Sequence, residues 1–174
     1  MKKYLNYLPG IFLLLGILSS CIKKQDFSTV PKIEFKDFVK YGTDSAVFIC
    51  TFQDGDGDIG LTQSDTSGNF VKTGPYFYNM VLTYYYKKTN GTFSTYVIGS
   101  GPQTGTIFQY QYRIPNITPD GQNKAIKGEI KVTMKPGPYY VDTHLLKIFR
   151  YEAYIYDRAL NKSNVIVTPD IPIP

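Results

Sequence analysis

The sequence is poor in the residues on which most enzymes and zinc-binding domains rely. Its 174 residues include one histidine, two cysteines and no tryptophan. His144 stands beside Asp142 and Thr143 in a predicted loop, and any serine–histidine–aspartate triad would have to use it. The chain has no histidine or cysteine cluster for zinc, no phosphate-binding glycine loop and no nucleophile elbow. These absences favour a protein without catalytic activity.

Paired carboxylates suited to glycoside hydrolysis are not evident either. A glycosidase needs two carboxyl groups that face each other across the scissile bond. Glu34, Glu129 and Glu152 occur in alternating stretches, at positions expected to face solvent. A hydrolase whose site these patterns do not reveal is the alternative from the enzyme class.

Long helical apolar patterns and long basic runs are also missing. No window of convincing length has apolar residues at helical spacing, and no basic block is long enough to indicate nucleic-acid binding. The chain has 19 basic and 14 acidic residues, and removing Lys2 and Lys3 with a signal peptide leaves a net charge of +3. The roughly 150 residues that remain are enough for one domain with its own core.

The first twenty-one residues have the order of a bacterial export signal. Two lysines near the start precede a short apolar run at residues 11–18, which is too short to span a bilayer. Leu18-Ser19-Ser20-Cys21 resembles the lipobox of bacterial lipoproteins. That resemblance implies cleavage before Cys21 and lipidation of its thiol. An ordinary signal peptide with an incidental cysteine is the alternative.

The lipobox sets the expected domain boundaries and location. A signal peptide is predicted at residues 1–20, a lipidated cysteine and tether at residues 21–31, and a folded domain at residues 32–174. Acyl chains contribute about 0.8 kcal/mol per buried methylene, so several chains on Cys21 would hold the protein at a membrane. We expect a lipid anchor in the outer membrane of the cell envelope, with periplasmic and surface-exposed orientations both open. Cys50 would then lack a disulfide partner, and its apolar surroundings predict a buried structural thiol.

Alternation with period two runs through the rest of the chain and predicts about eight β-strands. Phe48, Cys50 and Phe52 share one face of the first clear strand, and Asn90-Gly91 predicts a type I′ hairpin turn. Further strands are predicted near residues 33–38, 78–88, 93–98, 108–114, 126–134, 149–156 and 164–167. The pattern predicts an all-β fold, a single antiparallel β-sandwich.

The end of the chain carries a second resemblance. Residues 153–163, AYIYDRALNKS, resemble the strand and turn that close immunoglobulin-like and fibronectin type III-like bacterial modules. There a strand runs into an aspartate, then a small residue, an asparagine and a serine before the final strand. Leu160 stands where that pattern usually has glycine. The resemblance implies an immunoglobulin-like β-sandwich.

The most distinctive stretch is FQDGDGDIGL at residues 52–61, which places Asp54, Asp56 and Asp58 at alternate positions. Three ionised carboxylates so close together repel one another, and a hard cation relieves that repulsion. Calcium, which takes 6–8 oxygens at about 2.4 Å, is the candidate ion. The spacing matches positions 1, 3 and 5 of an EF-hand loop, with Asp65 at position 12. However, Ile59 occupies the position that requires glycine and no helix flanks the loop, so any calcium site would be of a sandwich-loop kind.

Residue parity predicts a break in the strand at this stretch. The register of Phe48 and Phe52 would turn the three aspartates inward, at a cost of several kcal/mol for each unpaired carboxylate. The strand is therefore expected to end or twist at Asp54, with the glycines supplying positive φ angles. Ile59 and Leu61 resume the apolar pattern on the opposite parity. The alternative to a calcium site is a glycine-rich exposed turn whose aspartates face water.

Tyrosines near loop ends are the remaining candidates for binding. Tyr76, Tyr78, Tyr139 and Tyr140 lie close to proline or glycine, where exposed rings stack on sugars or on a partner protein. The alternative is that they fill half-buried strand ends.

Residues 52–61 also resemble a stretch that recurs near the start of an immunoglobulin-like domain in lipoproteins of the Bacteroidetes type. The resemblance concerns architecture and implies no activity. From the lipobox and the absence of catalytic patterns, we expect a membrane-anchored lipoprotein with a non-catalytic binding or structural role in the cell envelope. Its partner would be an envelope protein or a glycan, and no nucleic acid. The alternative is a calcium-stabilised surface module for carbohydrate binding or adhesion.

Overall fold

The protein is described by a computed structural model over residues 27–42, 44–99, 101–119, 124–135 and 147–173. Cys21, His144, Tyr139 and Tyr140 lie outside these residues. The strands are β1 (Lys32–Tyr41), β2 (Ser45–Asp54), β3 (Met80–Lys87), β4 (Phe93–Thr95), β5 (Gln109–Tyr112), β6 (Ile126–Met134), β7 (Ile148–Ile155), β8 (Ile166–Val167) and β9 (Ile171–Pro172). A short 3-10 helix spans Gly68–Phe70. Within the described ranges, no helix has the length and apolar character needed to cross a bilayer.

The strands form two antiparallel sheets that pack against each other. The first sheet has the order β1-β2-β6. The second has the order β4-β3-β7-β8, with β5 also pairing with β3 and β9 with β7. The predicted all-β sandwich is confirmed, with nine described strands where the alternation predicted about eight.

Alternating side chains from both sheets build the core. In β2 the even-numbered residues are buried and the odd-numbered ones are partly exposed. Aromatic rings fill the space between the sheets, and the Phe38 ring centroid lies 5.9 Å from that of Phe149 and 6.0 Å from that of Tyr151. Cys50 is fully buried, and burial raises the pKa of its thiol to about 12. The predicted structural thiol is confirmed.

A β-bulge explains why β1 changes parity. The register against β2 shifts between Phe35 and Asp37, so that Lys36 is the extra residue. Because of this bulge, Phe35 and Phe38 both pack against the core although one number is odd and the other even.

The hairpin after β3 forms as predicted, but the predicted turn type is wrong. A type I′ turn needs positive φ at both central residues. Gly91 has a φ of +84°, whereas Asn90 is not among the residues with positive φ. The Gly91 N–H donates to the Lys88 carbonyl at 2.9 Å, and the Lys88 N–H donates to the Thr92 carbonyl at 2.8 Å. This is the three-residue form, a type I turn closed by a left-handed glycine.

Candidate metal centre

Asp54 ends β2, and its side chain points into the protein. The strand ends here as predicted, and Ile59 and Leu61 are buried on the opposite parity, also as predicted. The expectation that the break would keep all three aspartates out of the interior is wrong, because Asp54 is 0% exposed. Its burial is partly compensated by the following loop, which folds back so that the Asp58 N–H donates to Asp54 Oδ2 at 2.9 Å. An exposed turn with all its aspartates in water does not form.

The three aspartates of the loop converge on one point. One carboxylate oxygen from each of Asp54, Asp56 and Asp58 lies within 4.8 Å of the other two. The Oδ1 atom of each is buried and accepts no hydrogen bond from the described residues. Two oxygens that bind one calcium at about 2.4 Å can lie at most about 4.8 Å apart. The spacing therefore fits a single coordination sphere.

The backbone holds the second oxygen of two of these carboxylates. Asp54 Oδ2 accepts the N–H of Asp58 at 2.9 Å, and Asp58 Oδ2 accepts the N–H of Ala159 at 3.0 Å. Each group is thereby oriented through one oxygen, while its Oδ1 is left without a partner. Such a carboxylate is prepared to bind a cation with little reorganisation.

A fourth carboxylate, Asp157, adds negative charge beside the cluster. It follows β7, is 1% exposed and forms an isolated β-bridge with Ile59. Asn161 donates its N–H to Asp157 Oδ1 at 2.7 Å and its side-chain amide to Oδ2 at 2.9 Å, so both oxygens are satisfied within the turn. The closing-turn pattern of residues 153–163 includes this aspartate, but only the bridge between Asp157 and Ile59 shows that it lies beside the acidic loop of residues 54–60.

Burial and mutual repulsion make ionisation unfavourable at this place. Burial, followed by the charges of Asp56 and Asp58, raises the pKa of Asp54 to about 7. Burial, followed by the charges of Asp157 and Asp56, raises the pKa of Asp58 to about 6. None of the ion pairs formed by the described residues includes Asp54, Asp56 or Asp58. The Arg158 charge opposes the rise in the pKa of Asp58 without cancelling it, so the cluster has no paired counter-charge among the described residues.

Asp65, the residue matched to EF-hand position 12, lies outside the cluster. Arg158 donates Nη1 to Asp65 Oδ2 at 3.0 Å and Nη2 to Oδ1 at 3.2 Å. The Thr62 N–H donates to Oδ2 at 2.7 Å, and this bond is the largest cause that holds the pKa of Asp65 below its usual value. Asp65 is therefore satisfied by the protein itself and is not brought together with Asp54, Asp56 and Asp58.

Two loop glycines make room for neighbouring backbone. A Cβ atom at Gly55 would lie 2.2 Å from the Phe27 carbonyl oxygen, and one at Gly57 would lie 1.9 Å from that of Lys124. The predicted positive φ occurs at Gly57 (+67°) and Gly60 (+96°), whereas Gly55 is required for close approach. Main-chain carbonyls, which are ordinary calcium ligands, therefore run directly against the acidic loop.

A second pair of carboxylates lines an open depression on the outer face of the first sheet. Glu34 and Glu129 border this cavity of about 410 Å³. Lys32 lies 2.8 Å from Glu34 and lowers its pKa, and Lys36 pairs with Glu129 and lowers its pKa. A glycosidase needs one carboxyl with a raised pKa as its general acid. Neither glutamate meets that requirement.

The two described tyrosines among the binding candidates lie next to the acidic loop. Tyr78 is 38% exposed, while Tyr76 is partly buried with its ring 5.1 Å from that of Tyr156. Arg113 joins their segment to the loop, because it donates to the Phe77 carbonyl and to the Thr62 carbonyl, each at 2.8 Å. Tyr78 thus fits the exposed alternative and Tyr76 the half-buried one.

Comparison with known proteins gives no relative, since neither a protein-family model nor a curated protein matches the chain.

Proposed function

We propose that the chain is a non-catalytic, lipid-anchored protein of the bacterial cell envelope whose β-sandwich binds one calcium ion through Asp54, Asp56 and Asp58. The observation that carries the calcium site is the set of three buried Oδ1 atoms that accept no hydrogen bond from any described residue, on carboxylates close enough to share one ion. Burying a carboxylate without a partner is costly, and a divalent cation removes that cost.

The donor set favours calcium over other common ions. The ligands are carboxylate oxygens, with main-chain carbonyls nearby, whereas zinc prefers nitrogen and sulfur. Magnesium demands a regular octahedron at about 2.0–2.1 Å and keeps several waters, which suits a buried loop of three aspartates poorly.

The ion would have a structural role. Asp58 connects the loop to the turn after β7, because its carbonyl accepts the Arg158 N–H at 3.2 Å and its Oδ2 accepts the Ala159 N–H. The acidic loop follows β2 in one sheet, and the turn follows β7 in the other. Calcium bound at the loop would therefore fix the contact between the two sheets at this end of the sandwich.

The lipid anchor would place this end close to the membrane. The Gly55 N–H donates to the Ser28 carbonyl at 2.8 Å, so the chain enters the domain beside the acidic loop. From Cys21 to Phe27 a fully extended chain spans about 20 Å at most. The calcium end would then lie within about that distance of the lipid.

Support for an immunoglobulin-like class comes from the turn after β7. Leu160 has a φ of 68°, the left-handed conformation that glycine adopts readily, and it stands where the pattern of such modules has glycine. The Leu160 N–H donates to the Asp157 carbonyl at 3.2 Å, and the Asp157 N–H donates to the Asn161 carbonyl at 3.2 Å. A left-handed residue at the glycine position of that pattern supports the immunoglobulin-like class that we propose.

Thermal melts in calcium and in chelator test the calcium site. Calcium at about a hundred times its dissociation constant stabilises the native state by about 2.7 kcal/mol, which raises Tm by several degrees. The variant Asp56→Asn with Asp58→Asn should lose this shift, and the matched control Asp44→Asn, at an exposed position outside the cluster, should keep it. Identical melts, together with no heat of calcium binding by titration calorimetry, would contradict the proposal.

Membrane partition tests the anchor separately. The wild-type chain is expected in the membrane fraction and Cys21→Ser in the soluble fraction, because the anchor is the only membrane contact proposed. A Cys21→Ser protein that still sediments with membranes would contradict the anchor and leave the calcium result untouched.

Tyr78 favours a second candidate, a calcium-dependent glycan-binding or adhesion module. Its exposed ring lies on a segment that Arg113 ties to Thr62, directly after the acidic loop, so calcium bound in the loop would help to order the chain around it. Glycan-array binding that is lost in chelator and in Tyr78→Ala, but kept in Tyr41→Ala, would support this function. Tyr41 is the matched control because it is 57% exposed at the far end of β1.

A further inference from the structure

The outer edge of β6 is long, regular and open. Ile126–Met134 pairs with β2 over nine positions without a register shift. Within the described ranges, no strand pairs with the other side of β6. An edge of this kind presents a row of unpaired main-chain groups and is a template for a further strand.

The opposite edge of the same sheet is blocked. β1 bulges at Lys36. The Asn164 side chain also occupies its edge, because Asn164 Oδ1 accepts the Ile33 N–H and Asn164 Nδ2 donates to the Ile33 carbonyl, each at 2.9 Å. Bulges and covered edges are the usual devices that prevent strand pairing. The described part of this sheet therefore offers an incoming strand the β6 edge.

An apolar groove runs beside this edge, between the two sheets. It has a volume of about 320 Å³. Ile130 and Val132 line it from β6, and Tyr112, Ile114 and Ile117 line it from β5 and the segment after β5, while the polar part of the lining is Arg113, Glu129, Lys131 and Thr133. Ile117 is 43% exposed. A free strand edge above an apolar floor is the arrangement that accepts an added strand.

We propose that a second copy of this chain adds its own β6 to this edge, around a two-fold axis through Ile130. The two three-stranded sheets would then form one continuous sheet of six strands with a self-complementary interface. In this register Glu129 lies opposite Lys131 of the partner subunit, and Lys131 lies opposite Glu129 of the partner subunit. This proposal does not depend on the calcium site.

The outward charges of β6 select this register. Lys127, Glu129 and Lys131 share the solvent face, and opposite charges in directly facing positions favour pairing whereas like charges oppose it. An axis through Glu129 would bring two glutamates face to face, and an axis through Lys131 would bring two lysines face to face. An axis through Ile130 makes two attractive pairs and places Lys127 opposite Thr133 of the partner subunit.

One other register, around an axis through Gly128, also makes attractive charge pairs. The number of paired residues distinguishes it from the axis through Ile130. An axis through Gly128 would oppose Lys127 to Glu129 of the partner subunit, but it would pair only residues 126–130 of each strand. The axis through Ile130, the midpoint of the strand, pairs all nine residues. Within one chain, Glu129 Oε1 pairs with Lys36 and Glu129 Oε2 lies 3.5 Å from Lys131 Nζ, so Lys131 of the partner subunit would add to the contacts that lysines already make with Glu129 on this face.

Charge reversal on the full-length chain tests the dimer. The protein is extracted in enough detergent to leave about one chain per micelle, in chelator, and the dissociation constant is measured by sedimentation. Glu129→Lys and Lys131→Glu each place like charges at both symmetry-related positions, and each is expected to weaken the dimer about tenfold. The double variant Glu129→Lys with Lys131→Glu is expected to restore it. Lys127→Glu is the matched control and should have little effect, since Lys127 faces a threonine of the partner subunit.

Cysteine cross-linking fixes the register. A chain with Glu129→Cys and Lys131→Cys is expected to form disulfides between copies around the axis through Ile130, whereas Lys127→Cys with Glu129→Cys would do so only around an axis through Gly128 or Glu129. Melts of each variant show whether it is folded. A wild-type chain that stays monomeric at every concentration, folded single reversals that dimerise as well as the wild type, or preferential cross-linking of the second cysteine pair would overturn the proposal.

Discussion

Asp54 and Asp65 belong to the same segment, at and after the end of β2, and their carboxylates lie in opposite environments. Asp65 receives the Arg158 guanidinium at both oxygens and the N–H of Thr62. Asp54 is as fully buried as any residue of the core, yet its Oδ1 has no partner among the described residues. Arg158, in the turn after β7, thus supplies a counter-charge to Asp65, whereas none of the ion pairs among the described residues includes Asp54.

The difference teaches how to separate a structural aspartate from a ligand. A structural aspartate is satisfied by its own protein, which lowers its pKa, as at Asp65. The proposed ligands Asp54 and Asp58 are each oriented by a hydrogen bond to one oxygen, and burial and neighbouring carboxylates raise their pKa values. Arg158 contacts both sites, because its main-chain N–H donates to the Asp58 carbonyl while its guanidinium donates to Asp65.

The largest effect is expected from Asp65→Ala. It removes the partner of a half-buried arginine and the acceptor of two Thr62 groups, at a cost of about 2–3 kcal/mol. Because Asp65 is satisfied without an ion, the loss should be equal in calcium and in chelator. Urea unfolding in both buffers measures it, and a loss that appears only in calcium would place Asp65 among the ligands.

Asp54→Asn should act in opposite directions in the two buffers. In chelator it removes a buried charge without a counter-ion, so the free energy of unfolding should rise by about 1 kcal/mol. In calcium it removes a ligand, so the stabilisation by the ion should be lost. The two urea curves of the variant are expected to coincide. A variant that is less stable than the wild type in chelator would contradict the view that the Asp54 Oδ1 atom is buried without a partner.

The pH dependence of stability in chelator should reflect the same contrast. The pKa of Asp54 is raised from 3.8 to about 7, with Asp56, Asp58 and Asp157 as its negative neighbours. The folded state therefore binds more protons than the unfolded state, and stability should fall as the pH rises from about 4 through about 7. Asp65 has a lowered pKa, so its contribution is present above its ordinary value of 3.8 and is lost only on further acidification.

Urea midpoints between pH 4 and pH 8 check this slope. Asp54→Asn should flatten it, while the control Asp44→Asn should leave it unchanged. A wild-type protein that gains stability over the same range in chelator would contradict the raised pKa values.

The smallest effect is expected at Leu160, in the turn that carries contacts to both sites. A left-handed conformation costs a residue other than glycine about 1–2 kcal/mol, and substitution by glycine removes this cost. Part of the gain in stability is lost because glycine also makes the unfolded chain more flexible. Leu160→Gly should therefore stabilise the protein by about 0.5–1 kcal/mol, equally in calcium and in chelator. A gain confined to one buffer would mean that the turn serves only one of the sites.

Local pattern predicted the parts of this molecule that depend on neighbours in sequence. Alternation placed the strands, and the change of parity between Phe52 and Ile59 located the break at Asp54. The same reasoning gave the wrong direction for the Asp54 side chain. It took the free-energy cost of burying the carboxylate without the loop that folds back over it and donates a hydrogen bond to it. Asp157 and Arg158 reach the two aspartate sites through packing of distant strands, which no local pattern encodes. The position of the Asn90-Gly91 turn was predicted correctly, but its type was not. The type depends on the number of loop residues, which is set by where the two flanking strands end.

A crystal structure of the protein soaked in calcium is the most direct measurement of the contrast between the two sites. We expect one calcium peak about 2.4 Å from an oxygen of each of Asp54, Asp56 and Asp58, with Asp65 still bound to Arg158. A site that stays empty at saturating calcium, or one that a lysine ammonium fills, would contradict the assignment of these three aspartates as ligands.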